Sequence, residues 1–455
     1  MSEIRYHSTN FQSENVNFAE ALLKGLAPDK GLYLPDSIPV FDKEEIASMK
    51  NLSYAEIAGA VLERFLGQQI SKTELQALTF DAYNFDVPIE KVNSEKYILR
   101  LDQGPTASFK DFAARMMGRL MQHFLKKQNR NLLILTATSG DTGSAIANAF
   151  YGLDNIKVVI LYPENEVTDR QRKQMTTLGE NVKSIALNGK FDDCQAMVKQ
   201  AFADPDLDVL GLSSANSINI GRLLPQSVYY FYAYSRLCDI SNDEKIVFSV
   251  PSGNFGNLMG GLIAYKMGLP VKKFVVATNE NDEVPIYFDT EKYKPIVPSV
   301  ACISSAMNVG HPSNLARIVT LYGGQMDEKG NVIKLPDMYA MRDDMYAVSI
   351  TDEATKQTIK DVYSQDRVLL EPHGAVSWQG LKKFVEAYED DIHHDQICVC
   401  LETAHPAKFP KEINEILGID PELPKSLKGL EDKAEEFLPM ENDYQTFKDF
   451  LKKNY

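Results

Sequence analysis

The residue with the clearest chemical potential in this sequence is Lys110, which follows the turn-forming pair Gly104-Pro105 and opens a helix-like stretch. The positive end of a helix dipole disfavours an ammonium group, so a lysine near a helix start has a reason to lose its proton. A neutral amine is the form that attacks a carbonyl carbon to make an imine. A solvated surface lysine is the alternative, and Lys110 taken alone does not decide between the two.

Two glycine-bearing segments have the composition of anion-binding loops. They are Thr138–Gly143, after an apolar run at Leu132, and Pro251–Asn257, after another at Ile246. Glycine lets backbone N–H groups converge, and a following helix adds its positive end, so each loop suits a phosphate or a carboxylate. A tight turn between strand and helix gives the same pattern. The chain has neither G-x-G-x-x-G nor Gly-Lys-Ser/Thr, so dinucleotide and ATP sites lose support.

A third polar segment, Glu402–Phe409, carries Thr403, His405 and Lys408 away from the end of a predicted strand. Its position predicts that these side chains face a cleft. By itself the segment is equally typical of an ordinary turn that ends in a surface lysine.

The elements that position these segments are predicted by apolar runs that alternate with amphipathic, helix-length stretches. Apolar strands separated by helices indicate a parallel sheet covered on both faces, in which ligands bind at the carboxyl ends of the strands. The acidic stretch Glu431–Glu436 predicts the start of a solvated helix. The predicted strands are Tyr97–Leu101, Leu132–Leu135, Val158–Leu161, Ile246–Val250, Phe274–Ala277 and Ile397–Leu401.

The pattern also suggests a division into domains. We predict an N-terminal domain over residues 1–93 and a catalytic region over residues 94–455. Within that region we expect a smaller, mobile subdomain around residues 130–210, with the large domain formed by the rest. Such an arrangement encloses a cleft.

Composition excludes several classes of protein. The chain has 455 residues and a net charge of −15, with no dense run of Lys and Arg, so we expect no nucleic-acid partner. Met1–Asn15 lacks the apolar stretch of a signal peptide. The most apolar run, Val228–Tyr234, is far shorter than the roughly 20 residues of a membrane span and suits a buried helix. The five cysteines lack zinc-site spacing, so we expect no metal, and reduced thiols in a cytoplasmic protein.

Taken together, the chemical segments resemble the threonine synthases, a family of fold-type II pyridoxal-phosphate enzymes related to the tryptophan synthase β subunit. The resemblance runs from the N-terminal region to beyond residue 400. The matching segments are Gly25–Pro35, Pro105–Asp111, Thr138–Gly143, Ser252–Asn257, Ser305–Asn314 and Glu402–Phe409.

The resemblance implies roles for the residues around the cofactor, pyridoxal 5'-phosphate. Lys110 looks like the catalytic lysine that carries the cofactor as an imine, and Thr403 looks like the partner of the pyridine nitrogen. A hydroxyl there, in place of a carboxylate, implies a largely unprotonated nitrogen. The loop that looks like the cofactor-phosphate site comprises Gly253, Asn254, Phe255, Gly256 and Asn257.

The resemblance also implies a substrate site. Thr138, Ser139, Asp141 and Thr142 lie in the loop that looks like the grip on the substrate carboxylate. Asp141 replaces the Asn of many fold-type II members, and we expect its charge to be unfavourable there unless it is protonated or turned away. The cationic or polar candidates for the substrate phosphate are Arg115, Asn219 and Arg222, each of which could equally be structural.

The implied reaction converts O-phospho-L-homoserine and water to L-threonine and phosphate, the last step of threonine biosynthesis. We expect the smaller subdomain to close over this small-molecule substrate and exclude early water, in a protein that is a monomer or homodimer. Two alternatives stay open. One is a lyase that releases a 2-keto acid from a phospho-amino acid, and the other is a catalytically silent binder of phosphorylated ligands.

Overall fold

The computed structural model describes residues 3–138, 140–392 and 395–455. Every strand predicted from the sequence is present, with ends that differ by a few residues. The strands are β1 Tyr6–Ser8, β2 Tyr33–Pro35, β3 Ile89–Asn93, β4 Lys96–Arg100, β5 Leu132–Ala137, β6 Ile156–Pro163, β7 Val182–Asn188, β8 Leu212–Ser213, β9 Ile246–Pro251, β10 Val271–Thr278, β11 Gln325–Met326, β12 Val332–Lys334, β13 Met345–Ser349, β14 Cys398–Glu402 and β15 Leu438–Glu441.

Helices fill most of the intervals between these strands, as the amphipathic stretches predict. The α-helices are α1 Phe18–Lys24, α2 Lys43–Ser48, α3 Tyr54–Leu66, α4 Lys72–Ala82, α5 Lys110–Gln128, α6 Asp141–Phe150, α7 Asp169–Thr176, α8 Phe191–Phe202, α9 Ile220–Leu223, α10 Val228–Leu237, α11 Gly256–Lys266, α12 Glu283–Thr290, α13 Leu315–Leu321, α14 Met338–Asp344, α15 Asp352–Asp366, α16 Pro372–Ala387, α17 Pro410–Leu417 and α18 Tyr444–Asn454.

The larger sheet has six strands in the order β13-β10-β9-β14-β4-β3. All neighbouring pairs are parallel except β3 and β4, which form an antiparallel hairpin at one edge. Side chains alternate between two faces, so Val247 of β9 packs with Trp378 of α16, whereas Phe248 packs with Tyr230 of α10. Helices on both faces explain why β9 and β14 are apolar throughout.

The smaller sheet has five parallel strands in the order β15-β7-β6-β5-β8. Four of its strands come from residues 132–213, and the fifth, β15, comes from the C-terminal segment. Helix α18, which follows β15, packs Phe447 and Leu451 with Leu135 and Val159 of this sheet. The C-terminal segment thus joins the smaller layer, although the sequence division placed it with the large domain.

Residues of the N-terminal region pack onto the catalytic region and share its core. Tyr54 of α3 contacts the rings of Phe112 in α5 and Tyr232 in α10, with centroid separations of 5.2 and 5.3 Å. Strand β3, at the end of this region, is itself an edge of the larger sheet. The N-terminal region therefore buttresses the helix that begins at Lys110.

One local prediction was wrong. The acidic stretch Glu431–Glu436 forms turns and an extended segment that leads into β15, not a helix. Glu435 pairs with Arg172 at 2.9 Å, and the backbone N–H of Glu436 donates to the carbonyl of Thr176. These contacts with α7 and its C-terminus compete successfully with a weak local helix preference.

Two further features bear on the classes considered above. In the described part of the chain, no helix has both the length and the apolar character needed to cross a membrane. All five cysteines are buried and unpaired.

Candidate active site

Lys110 is the first residue of α5, as the sequence predicts, and the turn before it is fixed by Asp111. The Asp111 carboxylate accepts hydrogen bonds from the backbone N–H of Thr106 at 2.9 Å and from its hydroxyl at 2.6 Å. A Cβ on Gly104 would lie 2.4 Å from the same carboxylate, so only glycine fits there. The hydrogen bonds from Thr106 and the close packing of Gly104 against Asp111 therefore fix the turn that leads into α5.

The Lys110 amine lies in a mostly buried position, with 13% of its side chain exposed. Burial lowers the pKa of Lys110, and the nearby cations Lys408 and Arg222 lower it further, while Asp141, 3.9 Å away, opposes them. The helix start is therefore only part of the reason for a neutral amine, because burial is the larger cause.

Asp141, the first residue of α6, forms an ion pair through one carboxylate oxygen and faces Lys110 with the other. Its Oδ1 lies 2.7 Å from Nζ of Lys408 and accepts a hydrogen bond from Nε2 of Gln171 at 3.1 Å. Burial raises the pKa of Asp141, but Lys408 and Lys110 outweigh it and hold the pKa well below its usual range. The expected electrostatic conflict is thus resolved by Lys408, which the sequence could not distinguish from a surface lysine.

The hydroxyl of Thr138 organises the described part of the loop between β5 and α6, and the role of this loop as a carboxylate grip stays a prediction. The Thr138 hydroxyl accepts hydrogen bonds from the N–H groups of Gly140 at 2.9 Å and Gly143 at 2.8 Å, which folds the loop around that hydroxyl. Thr142 is half-buried at the start of α6, and no described residue hydrogen-bonds to its hydroxyl. Ser139 lies outside the described residues.

The loop Gly253–Asn257 joins β9 to α11 and is packed tightly against the segment that contains Ala306 and Met307. A Cβ on Gly253 would lie 2.8 Å from the Met307 Cα. Phe255 adopts a left-handed backbone, with φ of 61°, and α11 begins at Gly256, which leaves the helix start facing the loop.

Two asparagines hold the same loop in place. The Asn257 side chain donates to the carbonyl of Pro251 at 2.8 Å, which closes the loop across its base. The Asn254 side chain donates to the Ser217 hydroxyl and accepts from the Ser313 N–H at 2.6 Å.

Two buried arginines give this region a positive charge, and no carboxylate among the described residues contacts either of them directly. Arg317 is fully buried and bonds to Asn314, whose side chain donates to the carbonyl of Asn254 at 3.0 Å. Arg222 donates to the carbonyl of Ala215, but its Nε is buried without a hydrogen-bond partner among the described residues. Burial lowers the pKa of Arg317 to about 9 and that of Arg222 to about 10.

Thr403 follows β14 and lies beside the start of α5. Its carbonyl accepts a hydrogen bond from the N–H of Phe109 at 2.8 Å. Its hydroxyl lies 3.5 Å from Oε1 of Glu371, the residue that caps the N-terminus of α16. The expectation of an unprotonated pyridine nitrogen assumed that no carboxylate is near. Glu371 changes that premise, and the role of Thr403 as the nitrogen's partner stays a prediction.

Further carboxylates surround Glu371, and the sequence did not single them out. Glu402 accepts from the Glu371 N–H at 2.8 Å and lies 3.4 Å from Arg100. Burial, reinforced by the charge of Glu371, raises the pKa of Glu402 well above its usual value. Burial likewise raises the pKa of Asp102 to about 6. An acidic residue that ends a fully apolar strand was the available signal for Glu402.

The remaining two phosphate candidates have their hydrogen bonds elsewhere. Arg115 donates to the carbonyl of Ala82 at 2.6 Å and to Asn84 at 3.1 Å, and it thereby caps α4. The Asn219 side chain donates to the carbonyls of Leu22 and Ser214 and accepts from the Gly221 N–H. These contacts favour structural roles, and the assignment of both residues to substrate stays a prediction.

The residues present fit pyridoxal phosphate. Lys110 offers a buried amine of lowered pKa, and the loop that begins at Gly253 leads into the N-terminus of α11, whose first N–H groups suit an anion. Arg317, linked to this loop through Asn314, adds a buried positive charge that an anionic phosphate would offset.

This lysine and these loops, at the carboxyl ends of parallel strands, define a fold-type II pyridoxal-phosphate enzyme. A family model described as "Pyridoxal-phosphate dependent enzyme" matches residues 69–402. Two more models, "Threonine synthase N terminus" and "Threonine synthase, C-terminal", match residues 5–83 and 378–451. The chain belongs to the threonine synthase family, and the predicted fold class, family and cofactor are confirmed.

Individual relatives agree along nearly the whole chain. Threonine synthase of Haemophilus influenzae is 41% identical over 447 residues, covering 97% of this chain and 98% of the relative. That of Escherichia coli is 40% identical over 425 residues, covering 93% and 94%. A crystal structure of pyridoxal-phosphate-bound threonine synthase from Brucella melitensis superposes with a TM-score of 0.92, at 34% identity and 99% coverage of both chains. The chain is therefore a pyridoxal-phosphate-dependent lyase that acts on a small molecule.

Proposed function

We propose that this protein converts O-phospho-L-homoserine and water to L-threonine and phosphate, with Lys110 as the lysine that carries the cofactor. The supporting observation is the buried Lys110 amine, whose pKa is lowered beside the loop of the expected carboxylate grip. In the reaction the C–O bond at Cγ breaks, Cγ gains a proton, and water supplies the new hydroxyl at Cβ.

Pyridoxal phosphate, when bound, supplies an aldehyde for the lysine and a ring that withdraws electrons from the substrate's Cα. The loop Gly253–Asn257 would hold its phosphate, and Thr403 would face its ring nitrogen. Lys110 is positioned to remain in the site once the substrate amine has replaced it. Its Nζ would then take the proton from Cα and afterwards one from Cβ.

For the substrate itself, the loop Thr138–Gly143 would hold the carboxylate through backbone N–H groups and the Thr142 hydroxyl. Arg222 is the best placed phosphate donor, since its Nε is buried without a partner and it lies close enough to influence Lys110. Asn219 would act indirectly, by fixing the turn that precedes Arg222.

We also propose that the layer built on the smaller sheet is a domain that closes on the larger one. Helix α7 already spans the two, because Gln174 donates to the carbonyl of Thr106 at 3.2 Å and Arg170 donates to that of Ala407. Closure would keep water from the substrate until phosphate has left. Identical domain angles in empty and substrate-bound crystals would contradict this proposal.

Cytoplasmic residence and a monomeric or homodimeric state complete the proposal. Five unpaired cysteines are consistent with a reducing compartment. Light scattering of the purified protein would distinguish the two oligomeric states.

The decisive experiment incubates the protein with O-phospho-L-homoserine and pyridoxal phosphate, and quantifies threonine, phosphate and 2-keto acid. We expect threonine equal to phosphate, with Lys110→Ala losing both products. Lys126→Ala, an exposed lysine on the same helix, is the matched control and should retain turnover. Keto acid without threonine would indicate the lyase, and no turnover would indicate another substrate or a silent binder.

A further inference from the structure

Asp141 lies between two lysines at unequal distances. Its Oδ1 is 2.7 Å from Nζ of Lys408, within hydrogen-bond range, whereas its Oδ2 is 3.9 Å from Nζ of Lys110, outside it. Lys408 is 4% exposed and Asp141 is 7% exposed. One carboxylate thus has two candidate counter-ions in a place where water can screen little of the charge.

Burial decides how many of the three groups are charged. With both lysines protonated, the three groups carry one net positive charge. Arg222 adds another nearby and Glu371 offsets part of it from farther away, and an excess charge is costly in a poorly hydrated site. With one lysine neutral, the cluster balances. The three groups therefore favour a state in which a single ammonium faces the carboxylate.

Geometry selects Lys408 as that ammonium. Its Nζ donates to Asp141 and also to the carbonyl of Thr106 at 2.9 Å, and the carboxyl group of Asp111 is also nearby. Lys110 interacts more weakly with Asp141, because its Nζ lies outside hydrogen-bond range. The other charged neighbours of Lys110 include the cation Arg222 and the more distant carboxylate of Glu371.

We propose that Lys408 is a positioning residue for Lys110: it neutralises Asp141 and so leaves the Lys110 amine free of an ion pair and able to attack an aldehyde. Without Lys408, Lys110 would be the one remaining cation beside the Asp141 carboxylate among the described residues, and the carboxylate would hold it as an unreactive ammonium ion. This inference rests on the proposed function, since it takes Lys110 as the lysine that carries the cofactor.

The test measures the protonation of Lys110 directly, in the full-length protein stripped of cofactor. Competitive labelling with acetic anhydride across a pH series, read by mass spectrometry, gives the pH midpoint at which each lysine becomes reactive. In the unaltered protein, Lys110 should become reactive at a lower pH than the exposed Lys126. Lys408→Met should raise the Lys110 midpoint by about 1–3 pH units, because the opposing cation is gone and the anion remains.

Two further variants complete the cycle. Asp141→Asn should lower the Lys110 midpoint, and the double variant Lys408→Met with Asp141→Asn should return it toward that of the unaltered protein. Lys408→Arg keeps the charge and should keep the low midpoint. A merely structural role for Lys408 would not produce shifts of opposite sign for the two single variants.

Loaded protein gives a second readout that does not depend on turnover. The absorbance of the lysine-bound cofactor reports the proton on Nζ of Lys110, and its midpoint should move in the same directions in the same variants.

The outcomes separate this inference from the proposed function. Borohydride reduction of loaded protein followed by peptide mapping identifies the lysine that carries the cofactor. Cofactor on Lys110 with an unmoved midpoint in Lys408→Met would overturn the inference alone, whereas cofactor on another lysine would overturn both. If Lys408→Met does not fold, Asp141→Asn still decides, because an unmoved or raised Lys110 midpoint in that variant would refute the inference.

Discussion

Replacing Gly253 by alanine should weaken the binding of pyridoxal phosphate without removing any group that could contact it. The added Cβ would lie 2.8 Å from the Cα of Met307 and 3.1 Å from the carbonyl oxygen of Ala306. Ordinary contact begins at 3.4 Å, so the two backbones must separate by about 0.6 Å. Both clashing groups are backbone atoms, which cannot turn away as a long side chain can.

The segment that would have to move is itself held. The N–H of Ala306 donates to Nε2 of His373 at 3.1 Å, and the N–H of Met307 donates to the carbonyl of Ser304 at 2.9 Å. We therefore expect the phosphate loop to yield, at a cost of about 1–3 kcal/mol, typical of overpacking. Expressed as affinity, that is a loss of about 5- to 150-fold.

The assay is fluorescence titration of the cofactor-free protein with pyridoxal phosphate, accompanied by a thermal melt. Gly59→Ala in α3, outside the loop, is the control, because its Cβ would meet the side chains of Gln76 and Thr79 at an ordinary distance of 3.7 Å. That variant should bind within about threefold of the unaltered protein. If Gly253→Ala also binds within threefold and melts at the same temperature, the packing of residues 306 and 307 does not fix the loop and the reasoning fails.

Two further predictions concern stability. Arg317→Met removes donors to the carbonyls of Tyr33 and Ile218 and to the Asn314 side chain. Urea unfolding should therefore show a free energy of unfolding lower by about 2–5 kcal/mol, against less than about 0.5 kcal/mol for Arg130→Met at an exposed position. Equal losses in the two variants would refute the idea that Arg317 holds these segments together. The pKa of Asp102 is raised from 3.8 to about 6 in the folded state, so the native state binds the extra proton and stability should fall as pH rises from about 4 to about 6. Asp102→Asn should reduce this decrease in the free energy of unfolding by up to about 3 kcal/mol. The same pH dependence of stability in the variant and in the unaltered protein would contradict the prediction.

The parts of the fold that the sequence predicts well are those with a local cause. Strands such as β5 and β9 are continuous apolar runs because both faces of a parallel sheet are covered, and this leaves a clear mark in the sequence. The glycine loops that follow them and the helix start at Lys110 carry equally local signals. These features are also what place the candidate site at the strand ends.

The parts that the sequence did not predict depend on partners distant along the chain. Lys408 reads as a surface charge until the fold brings it to Asp141, and Glu371 reads as a helix cap until it is found beside Thr403. Arg115 is a plausible phosphate ligand by residue type, yet its donors are used by the end of α4. Long-range contacts likewise accompany the non-helical structure of residues 431–436, since Glu435 pairs with Arg172 and the Glu436 N–H donates to the carbonyl of Thr176.

The position of β14 has a consequence for the synthesis of the protein. This strand, near the end of the chain, lies in the middle of the larger sheet, between β9 and β4. During synthesis, the hairpin of β3 and β4 therefore lacks its partner β14 until almost three hundred further residues have been made. Sheets completed by such late strands fold slowly, and their unpaired strand edges are prone to aggregation until the last strand is added. A nascent chain stopped before Cys398 would leave the larger sheet in two pieces, β13-β10-β9 and β4-β3.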